Sequence, residues 1–129
     1  MPVVLAYDGK SHTEKALNYA IKHALAHNTV LYIVSTVATK DLVDRDNDVR
    51  SVKDYVEAAR QIAADAGADA RSLVETGHPV DAVIAAARRV EADTIIVGRH
   101  DKTAVDRLML GSVSEKIIRN AHCTVIVVQ

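Results

Sequence analysis

Val97-Gly98-Arg99-His100-Asp101-Lys102 and, after an irregular run, Leu110-Gly111-Ser112-Val113-Ser114-Glu115 decide how this chain is read. The first segment is the end of an apolar strand closed by a glycine, which lets a ligand or a second backbone come close. The second opens a helix, whose first amide groups have no partner inside the helix and whose dipole favours an anion. Strand, loop and helix start together read as a phosphate cradle at the carboxyl end of a strand. Asp101 stands out in that loop, because it brings a carboxylate to a place where a phosphate-binding turn prefers glycine.

Outward from this loop, short apolar runs alternate with helical patterns. Residues 3–7 and 94–97 are continuous and apolar, as expected of strands buried on both faces. Ser11 with Glu14 forms a capping-box pattern ahead of Ala16, Leu17, Ala20, Ile21 and Ala24, which predicts a helix ending near Asn28. Residues 29–34 give a second strand, residues 35–48 a long Asp-rich loop, and Val52 to Ala66 a helix stopped at Gly67. A short strand at residues 72–74, a helix opened by Pro79, a capping box at Ser112 and Glu115, and a last strand at residues 124–128 complete the pattern.

Such alternation predicts an α/β fold, a doubly wound open parallel sheet of five strands with helices on both faces. With the first strand central and the direction reversed after the third, the strand order is 3-2-1-4-5. Ligands in such sheets bind beyond the carboxyl ends of the strands at the switch point, here between strands one and four, where Asp8 and Gly98 stand.

Composition narrows the classes. With 129 residues and 49% hydrophobic content, the chain is expected to form one domain over residues 1–129. The net charge of -1, from 16 Lys+Arg and 17 Asp+Glu, argues against a general nucleic-acid or membrane-surface partner. With no Phe and no Trp, the core is built from Val, Ile, Leu and Ala, and little is left for stacking bases. The start of the chain does not read as a signal peptide, no apolar run reaches membrane-spanning length, and Cys123 has no second cysteine to pair with; a cytoplasmic protein is expected.

Enzyme signatures are missing. No Gly-x-Ser-x-Gly elbow and no Walker loop occurs. The histidine pair of nucleotidyl transferases and the acidic pair of receiver domains are also lacking. No enzymatic role is expected, with slow ATP hydrolysis left open. His23 and His27, at helical i, i+4 spacing, read as surface histidines without a third metal ligand. Asp44, Asp46 and Asp48 begin like a calcium loop, but Val49 and Tyr55 stand where glycine and glutamate are required. Cys123 reads as an inert thiol, Arg88 and Arg89 as a solvated helix face, and Ser112 as a helix N-cap.

The Asp8-Gly9 turn, the spacing from Gly98 to Gly111-Ser112-Val113, and the closing Cys123-Thr124-Val125-Ile126-Val127-Val128 resemble the universal stress protein family over essentially the whole chain. In nucleotide-binding members of that family the motif is Gly, two residues, Gly, nine residues, then Gly with Ser or Thr. Gly98 and Gly111-Ser112 keep that spacing, and Asp101 replaces the middle glycine. The resemblance implies that ATP or another adenine nucleotide, with Mg²⁺, is the bound cofactor. It puts Asp8 at the adenosine with Ala6 and Tyr7 beside it, Val34 at the adenine edge, and Val97 and Gly98 near ribose or phosphate. Arg99, His100, Asp101 and Lys102 follow in the loop, and Gly111, Ser112, Val113 and Ser114 receive phosphate oxygens. A carboxylate within about 5 Å of a triphosphate costs on the order of 1–3 kcal/mol unless a cation offsets it. Arg99, His100, Lys102 and Mg²⁺ are the candidates for that role.

The last strand lies at the sheet edge in this order, and its apolar run invites pairing with a second copy across a two-fold axis. Family members dimerise in this way, so a homodimer through residues 124–128 is expected. Two readings stay open: a stress-response module that binds nucleotide and reshapes the 35–48 loop for a protein partner, or a dimeric interaction module whose site is vestigial because of Asp101.

Overall fold

A computed structural model of the chain describes residues 1–37, 45–99 and 111–129. In chain order its elements are β1 (Val3–Ala6), α1 (Ser11–His27), β2 (Leu31–Val37), α2 (Arg45–Asp65), β3 (Ala70–Thr76), α3 (Pro79–Arg89), β4 (Thr94–Gly98), α4 (Ser112–Asn120) and β5 (Thr124–Val128). All strand pairs are parallel, and the sheet runs β3-β2-β1-β4-β5 as expected. β1 is flanked on both sides, with Leu5 level with Ile33 of β2 and Ile96 of β4.

The alternation of side chains along β1 divides the core in two. Val3 and Leu5 point to one face, where Ile33 and Ile96 meet Ala16, Leu17 and Ala20 of α1 and Val52, Val56 and Ala59 of α2. Val4 points to the other, where Val34, Ile95 and Val97 meet Val80, Val83 and Ala86 of α3 and Ile117 of α4. Helices therefore cover both faces, and the central strands are apolar throughout because neither face meets water.

Several boundaries differ from the sequence reading. β2 runs to Val37 and α2 begins at Arg45, so the polar segment expected as loop at residues 35–48 is strand at one end and helix at the other; residues 38–44 lie outside the described residues. β3 extends two residues beyond the expected 72–74 at each end, because it pairs with β2 from Ala70 to Thr76 through backbone bonds that polar residues make equally well. α1 and α4 are capped by Lys10 and Gly111, not by Ser11 and Ser112.

Candidate functional site

The chain leaves β1 through a turn fixed by its own side chains. The backbone N–H of Tyr7 donates to the Val34 carbonyl at 2.9 Å, and the buried Ser35 hydroxyl donates to the Tyr7 carbonyl. Asp8 then turns the chain: its Oδ1 accepts from the Lys10 backbone N–H at 2.8 Å and from Thr13 Oγ1 at 3.1 Å. The bond to the amide two residues on is an Asx-turn, and Gly9 supplies the positive φ of +79° that follows it. A carboxylate is a stronger acceptor than the Ser11 hydroxyl, and it lies where the α1 dipole is positive. This is why the expected capping box at Ser11 and Glu14 is not formed, and Lys10 takes the cap position in extended conformation.

Across the cleft, β4 ends at Gly98, and the backbone N–H of buried Arg99 continues the ladder by donating to the Val128 carbonyl at 2.9 Å. His100, Asp101 and Lys102 lie outside the described residues. The chain re-enters at Gly111, whose extended backbone (φ -63°, ψ 156°) caps α4 while its carbonyl accepts from Glu115 N–H at 2.9 Å. Ser112 is thereby the first helical residue, and its hydroxyl is not used as the cap. Ser114 is buried, with Oγ in a long 3.5 Å contact to the Gly98 carbonyl that ties the start of α4 to the end of β4.

These two strand ends and the α4 N-terminus enclose a cleft of about 520 Å³. Of the residues singled out from sequence, Ala6, Tyr7, Asp8, Val34, Val97, Gly98, Gly111, Ser112, Val113 and Ser114 line it, whereas Arg99 does not. Lys10, Thr13, Thr36, Pro79 and Val83 line it as well and were not foreseen. Lys10 and Thr13 had a signal in the sequence, since an Asp three residues before a helix reaches over its first turn; Pro79 and Val83 arrive from α3 by topology alone. The floor is apolar, and among the described lining residues the formally charged groups are Asp8 and Lys10.

Two phenols stand at the Asp8 side. Tyr7 and Tyr55 of α2 meet edge to face, with ring centroids 5.9 Å apart at 62°. Burial raises the pKa of Tyr7, with Glu14 and Asp8 adding to the effect. Burial also raises that of Tyr55, with the neighbouring Ser35 hydroxyl lowering it and Asp8 and Tyr7 adding to the rise. Both rings therefore stay neutral at ordinary pH.

Elsewhere, the rings of His23 and His27 lie 4.1 Å apart on α1, and among the described residues no three His, Cys, Asp or Glu side chains gather as a metal site. Burial, with Asp93 adding to it, raises the Cys123 pKa, which disfavours the thiolate. Arg88 and Arg89 are both exposed, as expected of a solvated helix face, and Arg89 is paired there with Glu75 of β3. No helix among the described residues is long and apolar enough to cross a membrane.

The chain's similarities agree with this geometry. A curated universal stress protein of Thermus aquaticus is 32% identical over 133 residues, covering 98% of this chain and 97% of its own. A universal stress protein from Archaeoglobus fulgidus superposes with a TM-score of 0.88 at 26% identity, covering 100% of this chain and 98% of that one. The Archaeoglobus fulgidus protein in complex with dAMP gives 0.82 at 26% identity, with the same coverage. A universal stress protein in complex with cAMP gives 0.81 at 26% identity, covering 100% and 97%. The model of the universal stress protein family matches residues 1–129, and the chain belongs to that family.

Proposed function

We propose that the cleft binds an adenine nucleotide. The observation that carries this reading is the meeting of the β1 and β4 ends with the α4 N-terminus around one cavity. Its volume of about 520 Å³ falls among small-ligand sites, roughly 300–1,000 Å³. Relatives at 26% identity hold dAMP and cAMP, which share the adenine, a five-membered sugar ring and one phosphate. In this reading the base lies over Ala6 and Val34, Asp8 accepts from the sugar hydroxyls, and Gly98 lets the backbone approach. The phosphate takes the first amide groups of α4 and the Ser112 hydroxyl, aided by the helix dipole. ATP with Mg²⁺ is the larger ligand of the same class, with His100 and Lys102, beside Asp101 in sequence, to balance its charge. The role is binding, not turnover.

Residues 1–129 then act as one cytoplasmic domain, paired with a second copy through Thr124–Val128. Nucleotide occupancy is passed to a protein partner as a stress-response signal. Titration calorimetry with AMP, cAMP, ADP and ATP, each with and without Mg²⁺, tests the binding step. A saturable heat with one nucleotide per chain is expected; no heat with any of them at concentrations on the order of 1 mM, where even a contact worth about 4 kcal/mol registers, would overturn it.

A further inference from the structure

Tyr55 does not line the cleft, yet its ring is laid against the turn that forms the cleft wall. A β-carbon built on Gly9 would stand 3.0 Å from both Cγ and Cδ1 of Tyr55 and 3.1 Å from Cδ2, so the ring face covers the glycine closely enough that a side chain there would push the ring away. The same ring meets Tyr7 edge to face at 5.9 Å. Asp8, Gly9 and Lys10 are all exposed, and a glycine in such a turn has more backbone freedom to lose than any other residue. The turn is held from one side by the Asp8 bonds to Lys10 N–H and Thr13 Oγ1, and from the other by the Tyr55 ring.

We infer that Tyr55 is a positioning residue for the nucleotide site: it clamps the Asp8-Gly9 turn in the shape that presents Asp8 to the ligand, and so couples α2 to occupancy of the cleft. This rests on the adenine-nucleotide reading above. Without the ring the turn keeps its residues but loses its single arrangement, and displacements on the order of 1 Å are enough to weaken an oriented contact. The coupling runs in both directions, because a ligand that fixes Asp8 also fixes the turn against which the Tyr55 ring lies.

The test compares the full chain with Tyr55→Ala, Tyr55→Phe and Val56→Ala, the last being a fully buried neighbour on α2 that packs into the core and is not among the groups nearest Gly9. With AMP as the probe in calorimetry, Tyr55→Ala is expected to raise Kd about tenfold, while Tyr55→Phe and Val56→Ala stay within about twofold of the parent. In the absence of nucleotide, the Gly9 and Lys10 amide resonances shift and broaden in Tyr55→Ala and not in Val56→Ala. Parent-like AMP affinity in Tyr55→Ala overturns the inference, as does equal disturbance of those two amides in Val56→Ala. If AMP does not bind but cAMP, ADP or ATP does, that nucleotide replaces it as the probe; if the parent chain binds none of the four, the nucleotide reading falls, and the ligand-free amides decide alone whether Tyr55 holds the turn: unmoved in Tyr55→Ala, they overturn that as well.

Discussion

Glu91 follows α3 with a φ of +57°, one of two non-glycine residues in the left-handed region among those described. Its N–H donates to Arg88 at 3.1 Å and the next, from Ala92, to Ala87 at 2.9 Å, the paired bonds of a Schellman stop. The same pair closes α1 around Asn28 and α2 around Gly67. Asn and Gly suit that backbone, whereas Glu strains it by roughly 1–2 kcal/mol. Glu91→Gly is expected to stabilise the fold by about 0.5–1 kcal/mol once the greater freedom of glycine in the unfolded chain is subtracted. A urea midpoint that rises with an unchanged slope would show it; a lower midpoint would refute it. Stops at Asn28 and Gly67 were legible in the sequence, and the stop at Glu91 was not, since nothing in a glutamate announces a left-handed turn. Ser11 and Ser112 misled in the opposite direction: each fits a capping-box pattern, but Asp8 and Gly111 fixed the chain one residue earlier.

At the scale of elements, α1 carries an outward row of rings, with Tyr19 stacked on His23 at 6.2 Å and His23 against His27 at 4.1 Å. Burial lowers the His23 pKa from its ordinary 6.5, the neighbouring His27 lowers it further, and Asp93 pulls the other way. A histidine with a depressed folded pKa binds its proton more readily when unfolded, so its contribution is complete above about pH 6.5 and is lost as the pH falls through the folded value. The melting temperature of the parent is therefore expected to decline below about pH 6.5 more steeply than that of His23→Gln. Parallel curves for the two would reject the assignment. The strands β1, β4 and β5 were readable because each is a near-continuous apolar run, buried in β1 and β4 and half-buried in the edge strand β5. The opening turn of α2, Arg45-Asp46-Asn47-Asp48, has no apolar periodicity to betray a helix, and β3 hides its ends in Arg71 and Glu75.

For the molecule as a whole, the strand order followed from alternation and one reversal, and the cleft followed from the order. That is why Asp8 and Gly98 were found, although they are far apart in sequence. Contributions from across the fold, such as Tyr55 against Gly9 or Pro79 and Val83 at the cleft, need the third dimension. The order also leaves β5 at an edge, with Val125 to Val128 half-buried and one row of backbone groups facing outward. The proposed dimer covers that row. In Val127→Lys the new stem can still lie along the sheet while its charge resists a second strand, so light scattering is expected to give the monomer mass with the helical dichroism retained. A folded variant that keeps the parent mass would place the interface elsewhere.

The position of β1 has a consequence for the order in which the chain can assemble. Val3 is level with Leu31 on one side and Thr94 on the other. A chain emerging from the ribosome can pair the first of these flanks early, but must carry the second unpaired through the synthesis of α2, β3 and α3. Pairing of such distant partners is slow, and an open apolar flank is exposed to aggregation meanwhile. The strand at the centre of the finished sheet is thus the one that waits longest to be completed, and its waiting time is set by the rate at which Thr94–Gly98 is delivered.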